Sequence, residues 1–229
     1  MFDSLKTVTD RLLGRGSAAI TVPVMDGKLL PNRLLDHATV LAELPGIDDL
    51  AFAAGTLLAS AGPVLWRLDG GRLVEHARFE ADITALAASR QGRLAVALGG
   101  RRIRVLAADG TPQATLDTLG GQPLHAVNAL AWAGDEALLF TDGSRQYGTT
   151  QWSHDLMTLG RSGRAGRWWL GSGEAELLAD GLAHAFGVLP AGDGARVSES
   201  WQHRVQQLSA KGSAQIGRAS CRERVCSTV

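Results

Sequence analysis

Residues 50–78, LAFAAGTLLASAGPVLWRLDGGRLVEHAR, decide the fold. Apolar or alternating runs at 50–54, 56–60, 64–68 and 72–78 are separated by short turns, one of them Asp69-Gly70-Gly71. Runs this short, bounded by turn residues, read as strands, and Asp-Gly-Gly supplies the positive φ that a tight hairpin needs. A second set follows at 83–88, 93–98, 102–107 and 113–116, turning at Gln91-Gly92, Gly99-Gly100 and Asp109-Gly110.

The openings of these sets resemble one another and recur twice more: DDLAFAA at 48, DITALAA at 82, AVNALAW at 126 and HAFGVLP at 184. Repetition of a four-stranded unit fits the blades of a β-propeller, whereas a sandwich shows no such self-similarity. The uneven spacing places insertions in loops. The longest spans 143–166, where QWSHDLM predicts a helical turn, and strands resume at 167–170 and 175–178. The Gly-His and Trp-Asp pairs that mark WD-repeat blades are absent. Ahead of the strands, Phe2, Leu5, Val8, Leu12 and Leu13 at helical spacing predict a short N-terminal helix.

The 229 residues carry 23 basic and 23 acidic side chains, so no net field attracts a polyanion or an anionic membrane. Nucleic acid is not an expected partner. No apolar run approaches the roughly 20 residues that cross a bilayer, and the N-terminus lacks the pattern of a secretory signal. A soluble, cytoplasmic protein is expected. Residues 216–225, IGRASCRERV, read as one translated frame of a common sequencing-library adapter, so the natural chain is expected to depart near Gln215. Cys221 and Cys226 then lie in or after that tail, which leaves no disulfide framework or thiol nucleophile ahead of it. The expected layout is 1–46 helix and extended lead-in, 47–215 partial propeller, and 216–229 non-native tail.

Within residues 128–205 stand four motifs: Leu139-Phe140-Thr141-Asp142-Gly143-Ser144, Gly166-Arg167-Trp168-Trp169, Leu178-Ala179-Asp180-Gly181-Leu182 with Gly187-Val188-Leu189, and Val197-Ser198-Glu199-Ser200. In these the stretch resembles the strictosidine synthase-like family, six-bladed propellers grouped with gluconolactonase and paraoxonase-type hydrolases. The resemblance implies an all-β, six-bladed propeller of bacterial style, truncated, with about four blades in this chain. It also implies a small molecule acted on in the central channel, most simply by a lactonase or arylesterase-type hydrolase. A non-catalytic ligand-binding propeller is the alternative, and a Pictet-Spengler synthase, whose catalytic Glu would lie beyond Gln215, is third.

The metal-dependent members of that superfamily hold Ca²⁺ with Glu, Asn and Asp side chains, in keeping with the oxygen ligands that this ion requires. By resemblance, Asp48 stands near the Glu position and Asn128 matches an Asn position. Phe186 replaces the next Asn, and a phenyl ring cannot ligate a cation. No cofactor is therefore expected, with Asp48 and Asn128 as weak metal candidates that can equally bond turn backbone. Glu199 matches another family position and can also form a salt bridge with Arg204 or Arg196. Trp152 and Trp201, in or beside loops, are candidates to line an apolar pocket, while Trp66, Trp132 and Trp168 read as core. Ser153, His154 and Asp155 have the residue types of an acyl-transfer triad, but neighbours in one loop cannot adopt its geometry.

Overall fold

The computed structural model describes residues 33–209 and 212–218, and the chain divides into two units, 1–41 and 42–229. Of the first unit the described part is a single 3-10 turn, Leu34–His37. The helix expected within 2–13 lies outside the described residues.

The second unit is built of antiparallel meanders. The first sheet runs β1 (Ile47–Ala53), β2 (Thr56–Ala61), β3 (Val64–Asp69) and β4 (Arg72–Arg78). The second is β5 (Ile83–Ala88), β6 (Leu94–Leu98), β7 (Arg102–Leu106) and β8 (Pro112–Leu116). A small hairpin, β9 (Thr118–Leu119) with β10 (Gln122–Pro123), leads into the third sheet. That sheet comprises β11 (Val127–Ala133), β12 (Ala137–Asp142), β13 (Gly163–Trp169) and β14 (Ala175–Leu182). The fourth comprises β15 (Ala185–Ala191), β16 (Gly194–Glu199), β17 (Arg204–Ser209) and β18 (Gly212–Arg218).

In every sheet the strands lie in sequence order, and the first strand of each packs beside the first strand of the next. This is the blade arrangement expected from the repeated openings. One helix, α1 (Trp152–Met157), interrupts the third blade where QWSHDLM predicts a helical turn. Among the described residues no helix is long and apolar enough to cross a membrane.

The core lies between blades. Leu58 and Leu65 meet Ile83, Leu86 and Val96 between the first and second. Ile103 and Val105 meet Val127, Phe140 and Trp168 between the second and third, and Leu139 and Ala165 meet Val188 and Val197 between the third and fourth. Second strands are therefore covered on both faces, and β6 and β12 are buried at every residue. Gly166 shows how tight this packing is, since a Cβ there would lie 2.5 Å from Phe140 Cζ. Trp168 is core as expected; Trp132 is partly buried and donates from Nε1 to the Ala87 carbonyl at 3.2 Å, linking two blades.

Two features depart from the expected pattern. The long insertion ends at residue 162 rather than 166, because β13 begins at Gly163. Its opening, Gly-Arg-Ala-Gly, looks like loop, but Arg164 is buried by an ion pair with Asp142 and pairs with it in the β12–β13 ladder. The β9–β10 hairpin was not anticipated either. Arg164 holds it in place through the Leu119 and Pro123 carbonyls, at 2.9 and 2.8 Å. Beyond Gln215, β18 continues to Arg218 through pairing of Val205 with Gly217 and of Arg204 with Arg218. Backbone pairing on an outer strand makes little demand on side-chain identity.

The same device closes the fourth blade. Glu199 ends β16 as Asp142 ends β12, and Arg204 faces it from the third strand at 2.6 Å. Each carboxylate also accepts a backbone N–H from the connector entering its blade, Ala126 at 2.7 Å and Ala183 at 2.8 Å. Removing one partner of a buried pair leaves an unpaired charge, which costs about 3–5 kcal/mol. Arg164→Met is therefore expected to lower the urea-unfolding free energy by about that amount. Arg204→Met should cost less, because Arg204 is 26% exposed and Gln206 still donates to Glu199.

Candidate functional site

Where the first strands of the blades face the interior, they line an open groove of about 1520 Å³. That exceeds the few hundred to roughly 1,000 Å³ of an enclosed small-molecule pocket, as suits a groove rather than a closed cavity. Asp48 of β1, Asp82 and Thr84 at β5, Asn128 of β11, His184 and Phe186 at β15, and Trp152 of α1 contribute to its wall.

Of the residues singled out in the sequence, Asp48, Asn128, Phe186 and Trp152 come together on this groove. Glu199 does not: it is 1% exposed and committed to the Ala183 N–H, Arg204 and Gln206. Burial alone would raise its carboxyl, but those donors outweigh burial and hold it below the usual carboxylate range. Trp201 is likewise not on the wall. It stands behind it, stacked on His184 at 4.3 Å between ring centres, with Nε1 donating to Asp155 Oδ2 at 2.7 Å.

Desolvation by the groove wall, and then the adjacent Asp49 carboxylate, push the Asp48 carboxyl above its ordinary value. Asp49 itself is committed to structure, with Oδ2 accepting the Leu86 N–H at 2.8 Å across to the second blade. Thr141 Oγ1 lies 2.8 Å from Asn128 Oδ1 and 2.7 Å from the Phe186 carbonyl, so one hydroxyl pins the amide and the β15 backbone together. Gly143 makes room for this arrangement. A Cβ there would fall 2.7 Å from Asn128 Nδ2 and 3.2 Å from His184 Cε1.

The Ca²⁺ implied by the resemblance does not fit these residues. Among the described residues no three His, Cys, Asp or Glu side chains gather as a cation site. Beside Asn128 the wall presents the Phe186 ring, 52% exposed, where a further oxygen donor would be needed.

Two residues of this region were not placed at the site by sequence reasoning. His184 is 7% exposed, with φ +56°, and its Nδ1 lies 3.6 Å from Asp155 Oδ2. Burial lowers the imidazole pKa, with Asp155 opposing that shift. Asp155 was dismissed with His154 because the two are adjacent. In the fold its partner is an imidazole from another loop, which no local spacing signals.

No family model matches the chain, and no curated protein matches it. Solved structures do. A gluconolactonase from Xanthomonas campestris is 20% identical with a TM-score of 0.57, over 73% of this chain and 60% of that one. A structural-genomics target provisionally called a gluconolactonase is 19% identical with a TM-score of 0.59, over 78% and 65%. The computationally designed protein Ika8 is 14% identical with a TM-score of 0.51, over 75% and 48%. The chain thus spans about half to two thirds of the length of these three structures. The likeness establishes the fold, an all-β propeller.

Because the depressed His184 pKa favours the neutral ring in the folded state, the unfolded chain takes up this proton first as pH falls. Stability is expected to decline from about pH 6.5 down to the lower folded-state pKa and to level off below it. Urea midpoints across that range should show this slope in the wild type and a flatter one in His184→Gln.

Proposed function

We propose that the groove binds a small amphipathic organic molecule and hydrolyses a lactone or aryl ester bond in it. The carrying observation is that polar Asp48, Asn128 and His184 share one wall with the exposed rings of Phe186 and Trp152. Such a surface gives an ester both an apolar seat and groups to orient its carbonyl. The gluconolactonase-like fold and the strictosidine synthase-like motifs support the same class. Phe186 and the sparse oxygen donors favour chemistry without Ca²⁺.

In this mechanism the rings seat the acyl or aryl part, and the Asn128 amide, immobilised by Thr141, is preorganised to orient the polar end. Preorganisation lowers the barrier because the groups need not be gathered during reaction. Water adds to the carbonyl carbon, the ester C–O bond breaks, and the proton removed from water ends on the leaving oxygen.

A panel of γ-butyrolactone, δ-valerolactone and phenyl acetate, assayed with EDTA and with added Ca²⁺, tests the proposal. Turnover is expected, unchanged by EDTA; a requirement for Ca²⁺ would overturn the reading of Phe186. Saturable quenching of tryptophan fluorescence without turnover would favour the second reading, a binding propeller, for which Phe186 in place of a metal ligand is the specific argument. Covering the exposed half of the Phe186 ring is worth about 1.4 kcal/mol, so Phe186→Ala is expected to weaken KM or Kd by about tenfold.

A further inference from the structure

We propose that His184 is the catalytic base of this groove, taking a proton from the attacking water through Nε2, and that Asp155 is the residue that positions it. The inference rests on the hydrolase reading above.

The arrangement is assembled from three loops. His184 lies between β14 and β15 in the left-handed region at φ +56°, where a side chain other than glycine is uncommon. Its backbone is held on both sides, with N–H donating to Leu182 and the carbonyl accepting from Ser200, each at 3.1 Å. Such a conformation persists only when its surroundings fix it. The ring is clamped by Trp201 on one face, and Phe186 lies near at 6.4 Å between ring centres.

Asp155 supplies the chemical direction. It is 1% exposed, Oδ2 accepts only the Trp201 indole N–H, and Oδ1 has no donor. The nearest donor left to it is His184 Nδ1, 3.6 Å from Oδ2 and itself without another partner. A carboxylate accepts and does not donate, so the imidazole proton belongs on Nδ1 and the lone pair on Nε2. His184 reaches the groove wall, and among the described residues nothing bonds Nε2. Separations of this kind tighten when substrate is bound.

Asp155, from α1, is the charged group in contact with the ring. Glu199, close by in the fold, is neutralised by Arg204 and turned to the Ala183 N–H. Burial keeps the imidazole neutral near pH 7 and therefore able to accept. Asn128 and His184 both pack against Gly143 and both line the groove, so a carbonyl held by the amide would lie near the base. Water oxygen bonds to the carbonyl carbon as Nε2 takes its proton. The C–O bond to the leaving group breaks, and Nε2–H returns the proton to the departing alkoxide or phenoxide.

His184→Gly tests this, because glycine accepts the backbone conformation while deleting the ring. On the full chain with EDTA present, kcat for phenyl acetate is expected to fall at least about 100-fold and to recover in part with added imidazole. Wild-type kcat/KM should rise with pH along an acid limb whose midpoint lies below about 6.5, and Asp155→Asn should move that limb as well as lower kcat. Turnover that survives His184→Gly, or a wild-type profile with no acid limb, overturns the role of His184 and leaves the hydrolase reading standing. Absence of wild-type turnover on all three esters overturns both.

Discussion

A carboxylate at the end of a second strand, met by an arginine from the third, closes each of the last two described blades over the connector that enters it. Asp142 with Arg164 does this in one and Glu199 with Arg204 in the next. In the first two blades the second-strand position that holds the carboxylate is apolar instead, Ala61 opposite Val64 and Leu98 opposite Arg102. Burying a charge is costly unless it is paired and bonded to the full. Here the carboxylates satisfy that condition with backbone N–H groups as well as arginine, so the clasp fixes where each connector runs.

The site depends on that fixing. The Glu199 clasp holds Ala183, the neighbour of His184, while the Asp142 clasp sits next to Gly143, against which Asn128 and His184 are packed. Thr141, one residue before Asp142, bonds both Asn128 and the β15 backbone. Asn128 and His184 are therefore each one or two positions from a connector residue that a clasp holds, Ala126 and Ala183. Rigid inner strands place the side chains, and the clasps set the ends of those strands.

Strands were legible because their signals are local: alternation or apolar runs, then Gly or Asp at the turn. The Glu199–Arg204 pair was legible for the same reason, five residues apart across one tight connection. Arg164 was not. An arginine between glycines reads as loop until the carbonyls of a distant hairpin are seen around it. Asp155 and His184 were invisible in the same way, since α1 sits in an insertion whose docking place is set by tertiary packing. Phe186 stood out in the sequence because it replaces an Asn of the family motif, but nearby His184 did not, because nothing in its own segment suggests a partner.

The clasps also impose an order on assembly. Arg164 follows the Leu119 carbonyl that it holds by 45 residues, and Glu199 follows Ala183 by 16. As the chain emerges from the ribosome, each connector is made before the residues that fasten it, so a blade secures its own entrance only after its second strand has paired. The join between the second and third blades stays open longest, waiting on β13 across the whole 143–162 insertion. During synthesis the hairpin β9–β10 is thus a latch with its bolt still unmade.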